Sequence, residues 1–426
     1  MRRLTFLAAL ALACGSGLVD HAGAGLPPAL DGGCTAPLHA CGGSCVAQSV
    51  QACGSGCATC TPPPNAQPVC AGGECGYTCA APFLHCATGC CTATRIAAGG
   101  DHTCALVAGG VKCWGANDQL QLGSANAGGF SATPVDVPGL SGASDLASGA
   151  GQTCAIVSGA VKCWGLGQGV EEVGGVSGAV LLAVGGRHAC AATGNAVLCW
   201  GANDRGQLGD GTLTGRAAAA PVSGASGALS LALGLDHSCA AQTTGALCWG
   251  RDDHGQVGDG QAASAVVLPT AVQGLSTASL LGVGAGELHS CALASPDGSV
   301  SCWGANARHQ VDSSGQDQFR AKGLGGLKAS AVAGGAASTC AIVSGGLECW
   351  GANDTGQLAL GDTTDRLGPT PVPGLSGVSA LALGSSHGCA LFNDGSVQCW
   401  GKNNQGQLGT GSTSAFSASP VAVSAP

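Results

Sequence analysis

The sequence predicts an all-β protein, a seven-bladed β-propeller preceded by a small disulfide-rich segment. The main observation is a Cys-Trp-Gly motif that recurs seven times in the 426 residues and contains every tryptophan of the chain. Successive tryptophans are 50, 36, 49, 54, 47 and 50 residues apart, and internal repeats of roughly 20–50 residues are typical of propellers and solenoids. The seven residues are Trp114, Trp164, Trp200, Trp249, Trp303, Trp350 and Trp400.

The third repeat shows how one unit is built. Residues 183–192 alternate small and polar side chains as a strand does, residues 193–196 form a turn, and Val197–Trp200 form a second strand. A glycine-bearing loop follows from Asn203 to Gly209, and Pro221 opens another extended run. Several short strands in about 48 residues, separated by Gly and Asn turns, indicate a propeller blade.

The N-terminus predicts export. Three residues with two arginines precede an apolar run over residues 4–13, as in a signal peptide; the run is shorter than the ~20 residues that a membrane span needs. Residues 1–24 are the predicted signal peptide, with Ala22-Gly23-Ala24 as its cleavage site. Alternatively, Ala11-Leu12-Ala13-Cys14 resembles a lipobox, and cleavage there would put a lipid on Cys14. We therefore expect a surface lipoprotein or a periplasmic or extracellular protein, attached to a membrane only through such a lipid.

The 27 cysteines indicate an oxidising compartment. Fourteen lie in the repeats, twelve lie between Cys34 and Cys91, and the last is Cys14. Residues 25–91 have few large apolar side chains, so we expect a linker and a stalk held by disulfides rather than by a core. A zinc site at Cys57 and Cys60 is the alternative, but no second C-x-x-C stands at finger spacing. The pairing within the stalk stays open.

In the repeats, two cysteines are separated by nine residues in five units and by ten and eleven in the other two. The extra residues fall in the turns 393–395 and 295–298, so the cysteines stay opposite each other on a hairpin. Opposed side chains on antiparallel strands are close enough for a disulfide, and each would stabilise the fold by about 2–3 kcal/mol. The predicted pairs are Cys104 with Cys113, Cys154 with Cys163, Cys190 with Cys199, Cys239 with Cys248, Cys291 with Cys302, Cys340 with Cys349 and Cys389 with Cys399.

Residues that repeat at one position are expected to be structural. The tryptophans should anchor blade-to-blade packing, since the chain has few other aromatic residues. Five histidines stand two residues before the first cysteine of a unit and should form structural hydrogen bonds: His102, His188, His237, His289 and His387.

The pattern Gly-x-x-His-x-Cys-Ala-Leu followed by Val-x-Cys-Trp-Gly-x-Asn-x-x-Gly-Gln-Leu-Gly, clearest at residues 384–409 and 185–209, resembles the repeat of the regulator of chromosome condensation family. The resemblance covers about 330 residues after Thr92 and implies a seven-bladed propeller over residues 92–426. The cysteine pairs set this chain apart, in the style of a secreted bacterial branch. The family implies two activities, guanine-nucleotide exchange and inhibition of a secreted enzyme such as a β-lactamase.

Specific function is expected where the copies differ. The second repeat replaces its loop by a segment with Glu171 and Glu172, a candidate acid/base pair. The fourth has Arg251, Asp252, Asp253 and His254, of which the last three could bind a metal, and the fifth has Arg308 and His309. These eight residues are the candidate ligand-binding residues, and a solvated loop is the simpler interpretation of each.

Composition and motifs favour binding over catalysis. The net charge is −9 and the 15 Lys and Arg form no cluster, so nucleic acid is not an expected partner. No catalytic or nucleotide-binding motif is present, so we expect no enzyme, no cofactor and no metal. The expected function is a monomeric, non-enzymatic surface scaffold for a protein or glycan ligand. Exchange-factor activity, inhibition of a secreted enzyme and hydrolysis of surface polymers are the alternatives.

A last expectation concerns ring closure. Most repeats follow the tryptophan loop with an extended Pro-Val segment, and the chain ends soon after Pro420-Val421. We expect residues 419–424 to pair into the blade of residues 96–114 and so to close the circle, because unpaired strand edges promote aggregation.

Overall fold

A computed structural model describes residues 60–424 except 72–73, 81–82, 87–88, 125–126 and 276–278, together with the backbone of four short strands before residue 60. The chain divides into two compact units, Met1–Cys91 and Thr92–Ser424. No helix in the described part is long and apolar enough to cross a membrane.

The described part of the first unit contains four antiparallel pairs of short strands, β1 with β2, β3 with β4, β5 with β6 and β7 with β8. Disulfides join Cys60 to Cys75, Cys79 to Cys90 and Cys86 to Cys91. The candidate lipidation site Cys14 and the side chains of the cysteines from Cys34 to Cys57 lie outside the described residues. The strands are β1 (Ala29–Leu30), β2 (Cys34–Thr35), β3 (Leu38–Cys41), β4 (Ser44–Ala47), β5 (Ala66–Ala71), β6 (Glu74–Cys79), β7 (Leu84–Cys86) and β8 (Gly89–Cys91).

The second unit consists of seven four-stranded antiparallel sheets, each formed by one continuous stretch of chain with its strands in sequence order. Blade 1 comprises β9 (Ala93–Ala98), β10 (His102–Val107), β11 (Gly110–Ala116) and β12 (Phe130–Asp136). Blade 2 comprises β13 (Ala143–Ser148), β14 (Gln152–Val157), β15 (Ala160–Gly165) and β16 (Gln168–Glu172). Blade 3 comprises β17 (Leu181–Val184), β18 (His188–Ala192), β19 (Val197–Gly201) and β20 (Arg216–Pro221).

The remaining four blades repeat this order. Blade 4 comprises β21 (Ser230–Leu233), β22 (His237–Gln242), β23 (Gly245–Asp252) and β24 (Ala263–Ala271). Blade 5 comprises β25 (Leu280–Ala285), β26 (His289–Ala294), β27 (Ser299–Gly304) and β28 (Gln318–Lys328). Blade 6 comprises β29 (Ala331–Gly334), β30 (Ser338–Val343), β31 (Gly346–Gly351) and β32 (Arg366–Pro371). Blade 7 comprises β33 (Val378–Leu383), β34 (His387–Phe392), β35 (Val397–Lys402) and β36 (Phe416–Ala422).

The core lies between neighbouring blades, and the tryptophans anchor it. Trp164 of blade 2 packs into the apolar cluster of blade 1, Trp249 of blade 4 into that of blade 3, and Trp400 of blade 7 into that of blade 6. Six tryptophans are fully buried and Trp200 is 5% exposed. Burying about 200 Å² of indole is worth about 5 kcal/mol per residue, so each blade is held chiefly by its neighbour.

A disulfide joins the two central strands of every blade. The paired cysteines are direct cross-strand partners, as in Cys104 opposite Cys113, and the Cα–Cα distances of all seven pairs are 4.0–4.1 Å. The seven pairs are those derived from the turn lengths of the sequence. They lie at the seams between blades, where no cysteine is more than 7% exposed.

The expected closure by the C-terminal segment is wrong. β36 pairs with β35 of blade 7, with Val421 opposite Cys399, and blade 1 has its own outer strand β12, with Val135 opposite Cys113. The extended Pro-Val segment therefore completes the blade that precedes it. The period of a repeat does not tell at which strand a blade begins. The Pro-Val segment is the last strand of a blade, whereas the expectation made it part of the next one.

Candidate functional site: the charged loop face

We call one side of the propeller the loop face. It is formed by the turns between the first and second strands of each blade and by the loops between the third and fourth strands. Main-chain hydrogen bonds tie the two sets together, as in Ala202 N–H to Arg187 O at 2.8 Å and Arg251 N–H to Asp236 O at 2.8 Å. The opposite face is formed by the hairpin turns between second and third strands and by the connections between blades.

Around the propeller axis, main-chain hydrogen bonds join the turn between the first and second strands of each blade to the same turn of the next blade. Seven such links run round the ring at 3.0–3.3 Å, and the link from Ser385 N–H to Gly100 O joins blade 7 to blade 1. The cavity that they enclose has a volume of about 110 Å³, well below the roughly 300 Å³ of an ordinary small-molecule pocket. Its one charged lining residue, Glu287, accepts a hydrogen bond from Ser385 Oγ at 2.6 Å. The axis is therefore a less suitable binding site than the loop face.

Below this ring, the five repeated histidines bridge neighbouring blades. Each Nε2 lies 2.7–2.9 Å from a Ser or Thr hydroxyl of the next blade: His102 with Thr153, His188 with Ser238, His237 with Ser290, His289 with Thr339 and His387 with Thr103. In four of these pairs the hydroxyl donates its proton to a Gln carbonyl, so it must accept from an Nε2–H. Burial lowers the pKa of these rings, to about 3 for His188 and to about 4 for His289.

The loops between third and fourth strands are anchored at two repeated positions. A Gln at one position offers its main-chain carbonyl to the tryptophan of the following blade: Trp114 to Gln407, Trp164 to Gln121, Trp249 to Gln207, Trp303 to Gln256, Trp350 to Gln310 and Trp400 to Gln357. An Asn at the other position accepts a main-chain N–H through Oδ1, as Asn203 does from Leu208 at 2.9 Å. Blade 2 lacks the loop, so Trp200 has no equivalent Gln.

Charge is concentrated on the loop face. In the described part of the propeller, its turns and loops carry sixteen Asp, Glu, Lys and Arg residues, of which fourteen belong to blades 3 to 6. The turns and connections of the opposite face carry two, Asp297 and Asp394. The loop face of blades 3 to 6 is thus the chemically specific surface of the molecule.

In blade 4, the four candidate residues point in different directions. The Arg251 guanidinium binds Asp253 at 2.8 Å and lies 3.9 Å from Asp236. Burial opposes ionisation of Asp253, but hydrogen bonds from Arg251 and Gln256 hold its pKa below the usual range. His254 Nδ1 lies 2.8 Å from Asp317 of blade 5. Asp252 is fully buried, so residues 252–254 do not converge on one point as a metal site would require. Among the described residues, no group of three or more His, Cys, Asp or Glu side chains could hold a metal ion.

Arg308 of blade 5 contacts blade 6, just as His254 of blade 4 contacts blade 5. Its guanidinium contacts both oxygens of Asp365, at 2.8 and 3.0 Å, and hydrogen bonds from Arg308 lower the pKa of that carboxyl. His309 adopts φ = 62°, where four equivalent loops have Gly206, Gly255, Gly356 or Gly406. The left-handed conformation costs a non-glycine residue about 1–2 kcal/mol, so His309 is held there by its surroundings.

Glu171 and Glu172 lie apart from these six residues. Both are exposed on β16, the outer strand of blade 2, where Glu171 is opposite Cys163 and Glu172 opposite Lys162. They do not form a pair that could act on one substrate atom. Sequence reasoning missed Arg187, Asp204 and Arg205 of blade 3, which are exposed on the loop face; a comparison of loop charges between copies would have revealed them.

Comparison with known proteins is consistent with this architecture. Two models of the regulator of chromosome condensation (RCC1) repeat match, one at residues 93–121, 282–310 and 378–407, the other at residues 245–293, 344–391 and 394–426. The human protein HERC3 is 35% identical over 113 residues, which is 25% of this chain and 11% of HERC3. The ultraviolet-B receptor UVR8 of Arabidopsis thaliana is 30% identical over 133 residues, which is 30% of each protein. The chain therefore spans only a minor part of these relatives.

Two solved structures share the fold. Prp20p from Saccharomyces cerevisiae superposes with a TM-score of 0.61 at 22% identity, over 71% of this chain and 83% of Prp20p. Human WBSCR16 superposes with a TM-score of 0.54 at 20% identity, over 86% of this chain and 89% of that protein. At these identities the likeness concerns the fold alone. Together with the seven four-stranded blades, it identifies residues 92–424 as a seven-bladed β-propeller, in which residues 93–121, 245–310 and 344–426 carry repeats of the regulator of chromosome condensation family.

Proposed function

We propose that this protein is an exported, non-enzymatic scaffold that binds a protein partner through the loop face of blades 3 to 6. The observation that carries the proposal is the placement of fourteen charged residues on this part of one face. Charged loops on a rigid frame are typical of recognition surfaces, and complementary charge gives a protein interface its specificity and its rate of association.

Fixed side chains support the same proposal. Arg251 and Arg308 are held by carboxylates before any partner arrives, which lowers the entropy that binding must cost. The strained His309 also lies here, and such strain is frequently found at functional sites. The tryptophans, by contrast, are buried, so they offer no stacking platform for a sugar. A protein partner is therefore favoured over a glycan.

Export is proposed from the cysteine chemistry. In the described part of the chain no cysteine is free, and proteins with so many disulfides belong to oxidising compartments. A nuclear or cytosolic partner is then out of reach. Prp20p is a protein studied for its binding to Gsp1p and histones. For this chain, the guanine-nucleotide exchange activity that the family resemblance implies is the rival that the experiment must exclude.

The test uses two single charge reversals of the same size. Arg205→Glu changes an exposed residue of the loop face, and Lys328→Glu changes an exposed residue that lies beside Asp297 on the opposite side. The full-length protein on the cells that express it is photo-crosslinked to its neighbours. The crosslinked partners are then identified by mass spectrometry. We expect Arg205→Glu to weaken capture of a specific protein at least tenfold and Lys328→Glu to leave it unchanged.

Equal capture by both variants would refute the loop face as the binding surface. Acceleration of nucleotide release from small GTPases, or turnover of a surface polymer that Asp253→Asn abolishes, would refute the non-enzymatic scaffold itself.

A further inference from the structure

Asp252 occupies a position at which five other blades have Asn. The equivalent residues are Asn117, Asn203, Asn306, Asn353 and Asn403. Each Asn accepts, through Oδ1, the main-chain N–H five residues further on, at 2.9–3.0 Å. Asp252 does the same, accepting from Val257 N–H at 2.8 Å. The carboxyl therefore has the orientation of the amides, and its second oxygen occupies the place of their Nδ2 group.

That place is surrounded by acceptors. Asn203 Nδ2 donates to the carbonyl oxygens of Thr212 and Thr214 at 3.1 and 3.2 Å and to Asp210 Oδ1 at 3.2 Å. Asn117 and Asn306 likewise donate to oxygens of their own loops, at 2.7–3.2 Å. Blade 4 has the same Gly-Asp-Gly sequence at residues 258–260 as blade 3 has at 209–211.

The second oxygen of Asp252 is buried and has no hydrogen-bond donor in reach, and the whole residue is 0% exposed. An ionised carboxylate would thus place a negative charge, without a donor, at a buried position that loop oxygens line in blades 1, 3 and 5, which is costly. A proton removes the conflict, because a neutral carboxyl has one O–H donor to offer where the amides offer N–H. The spacings of 2.7–3.2 Å around the equivalent amides suit such a hydrogen bond.

We propose that Asp252 is a proton-binding site: its neutral carboxyl fastens the loop of residues 252–262 to itself, and ionisation releases that loop. The loop carries Asp253 and His254, so the loop face of blade 4 is ordered below the transition and loosened above it. The site is a conformational switch inside the propeller and does not depend on the identity of any partner.

The charges around Asp252 act in the required direction. Burial raises its pKa to about 7; the Val257 N–H opposes this, and the negative charges of Asp259 and Asp253 add to it. Arg251 is engaged by Asp253, and on the adjoining blade 5, Asp317 is engaged by His254 and the Arg320 guanidinium lies against Gly260. Neither cation hydrogen-bonds Asp252.

The sign of the effect follows from the two states. In the unfolded chain Asp252 ionises near pH 3.8, whereas the folded state keeps its proton to about pH 7. Unfolding therefore releases one proton between these limits, and the unfolding constant rises about tenfold per pH unit there and levels off above them. Asp252→Asn supplies the amide that the other blades have and should abolish this component.

The first experiment compares wild type with Asp252→Asn by urea unfolding from pH 5.5 to pH 9. We expect the ratio of their unfolding constants to rise tenfold per unit up to about pH 7 and then to stay constant. The second is hydrogen exchange of peptides 252–262 and 203–214 in the wild type, corrected for intrinsic rates. We expect faster exchange of the blade 4 loop above pH 7 and no such change in blade 3.

The reciprocal variant, Asn203→Asp, should create the same pH-dependent exchange in blade 3. Identical pH profiles for wild type and Asp252→Asn would overturn the proposal. So would a rise in melting temperature with calcium chloride in the wild type that Asp252→Asn lacks, because a cation rather than a proton would then hold the carboxylate.

Discussion

Acid should unfold the propeller abruptly, because five neutral histidines lie in its seams. Burial lowers the pKa from 6.5 to about 3 for His102, His188 and His237, and to about 4 for His289 and His387. The unfolded chain therefore takes up protons first as the pH falls. The stabilisation is fully present above pH 6.5 and is lost progressively from pH 6.5 towards pH 3–4.

The magnitude follows from the count of rings. Each histidine that is neutral in the folded state and protonated in the unfolded state costs about 1.4 kcal/mol per pH unit. Five of them cost about 7 kcal/mol per unit, and the Asp252 site opposes this by one proton. Since a domain is stable by only about 5–15 kcal/mol, we expect unfolding near pH 5.

The assay is urea unfolding at 25 °C in steps of 0.3 pH unit from pH 7 to pH 4.5. The slope of the logarithm of the unfolding constant against pH counts the protons taken up. His188→Gln should lower that count by one, since Gln152 occupies the same position in blade 2. If wild type and His188→Gln take up equal numbers of protons, the histidines between the blades are not neutral in the folded state and the reasoning is refuted.

Three further outcomes are expected. Replacing Cys239 and Cys248 together by Ala should lower the free energy of unfolding by about 3 kcal/mol, measured by urea unfolding; an unchanged midpoint would contradict the entropic account. Gly384→Ala should cost about 1–3 kcal/mol, because the new Cβ would overlap Gly99 O and the His387 ring, whereas Gly368→Ala, in open space, should be neutral by calorimetry. Deleting residues 416–426 should expose β35, lower the melting temperature and promote association, with hydrogen exchange in blade 1 unchanged; protection lost equally in blade 1 would restore the shared-blade closure.

The parts of the fold that repeat were predictable, because seven copies average out the noise of any one. The Cys-Trp-Gly motif and the compensating turns 295–298 and 393–395 led to the blades and their disulfides. The strand at which each blade begins was not predictable in this way. In sequence, Val421 fits equally well in the last strand of one blade or the first strand of the next, and only its position opposite Cys399 assigns it to blade 7.

The candidate site was predictable only in outline. Arg251 and Arg308 were found because they interrupt the repeat, and Asp253, the partner of Arg251, lies two residues away in the same loop. Asp365, the partner of Arg308, lies 57 residues away in blade 6, and a contact across blades leaves no local pattern. Asp252 was expected among the ligand-binding loop residues, with metal binding as an alternative, whereas the structure buries it completely. The useful signal was that Asp252 stands where the other loops have Asn. The consequence of this difference can be recognised only in the structure, because it shows that the Asn amides donate to oxygens of their loops.

Each blade is one uninterrupted stretch of chain, closed internally by its own disulfide and joined to the next by contacts that recur at most seams. A tandem duplication or deletion of about 49 codons would thus add or remove a whole blade without leaving a strand unpaired. Chain ends could also be moved to any connection between blades, by joining Thr92 to Ser424 with a linker and opening the chain elsewhere, since no strand is shared between the two termini. Such a molecule can change its number and order of recognition loops in single genetic steps.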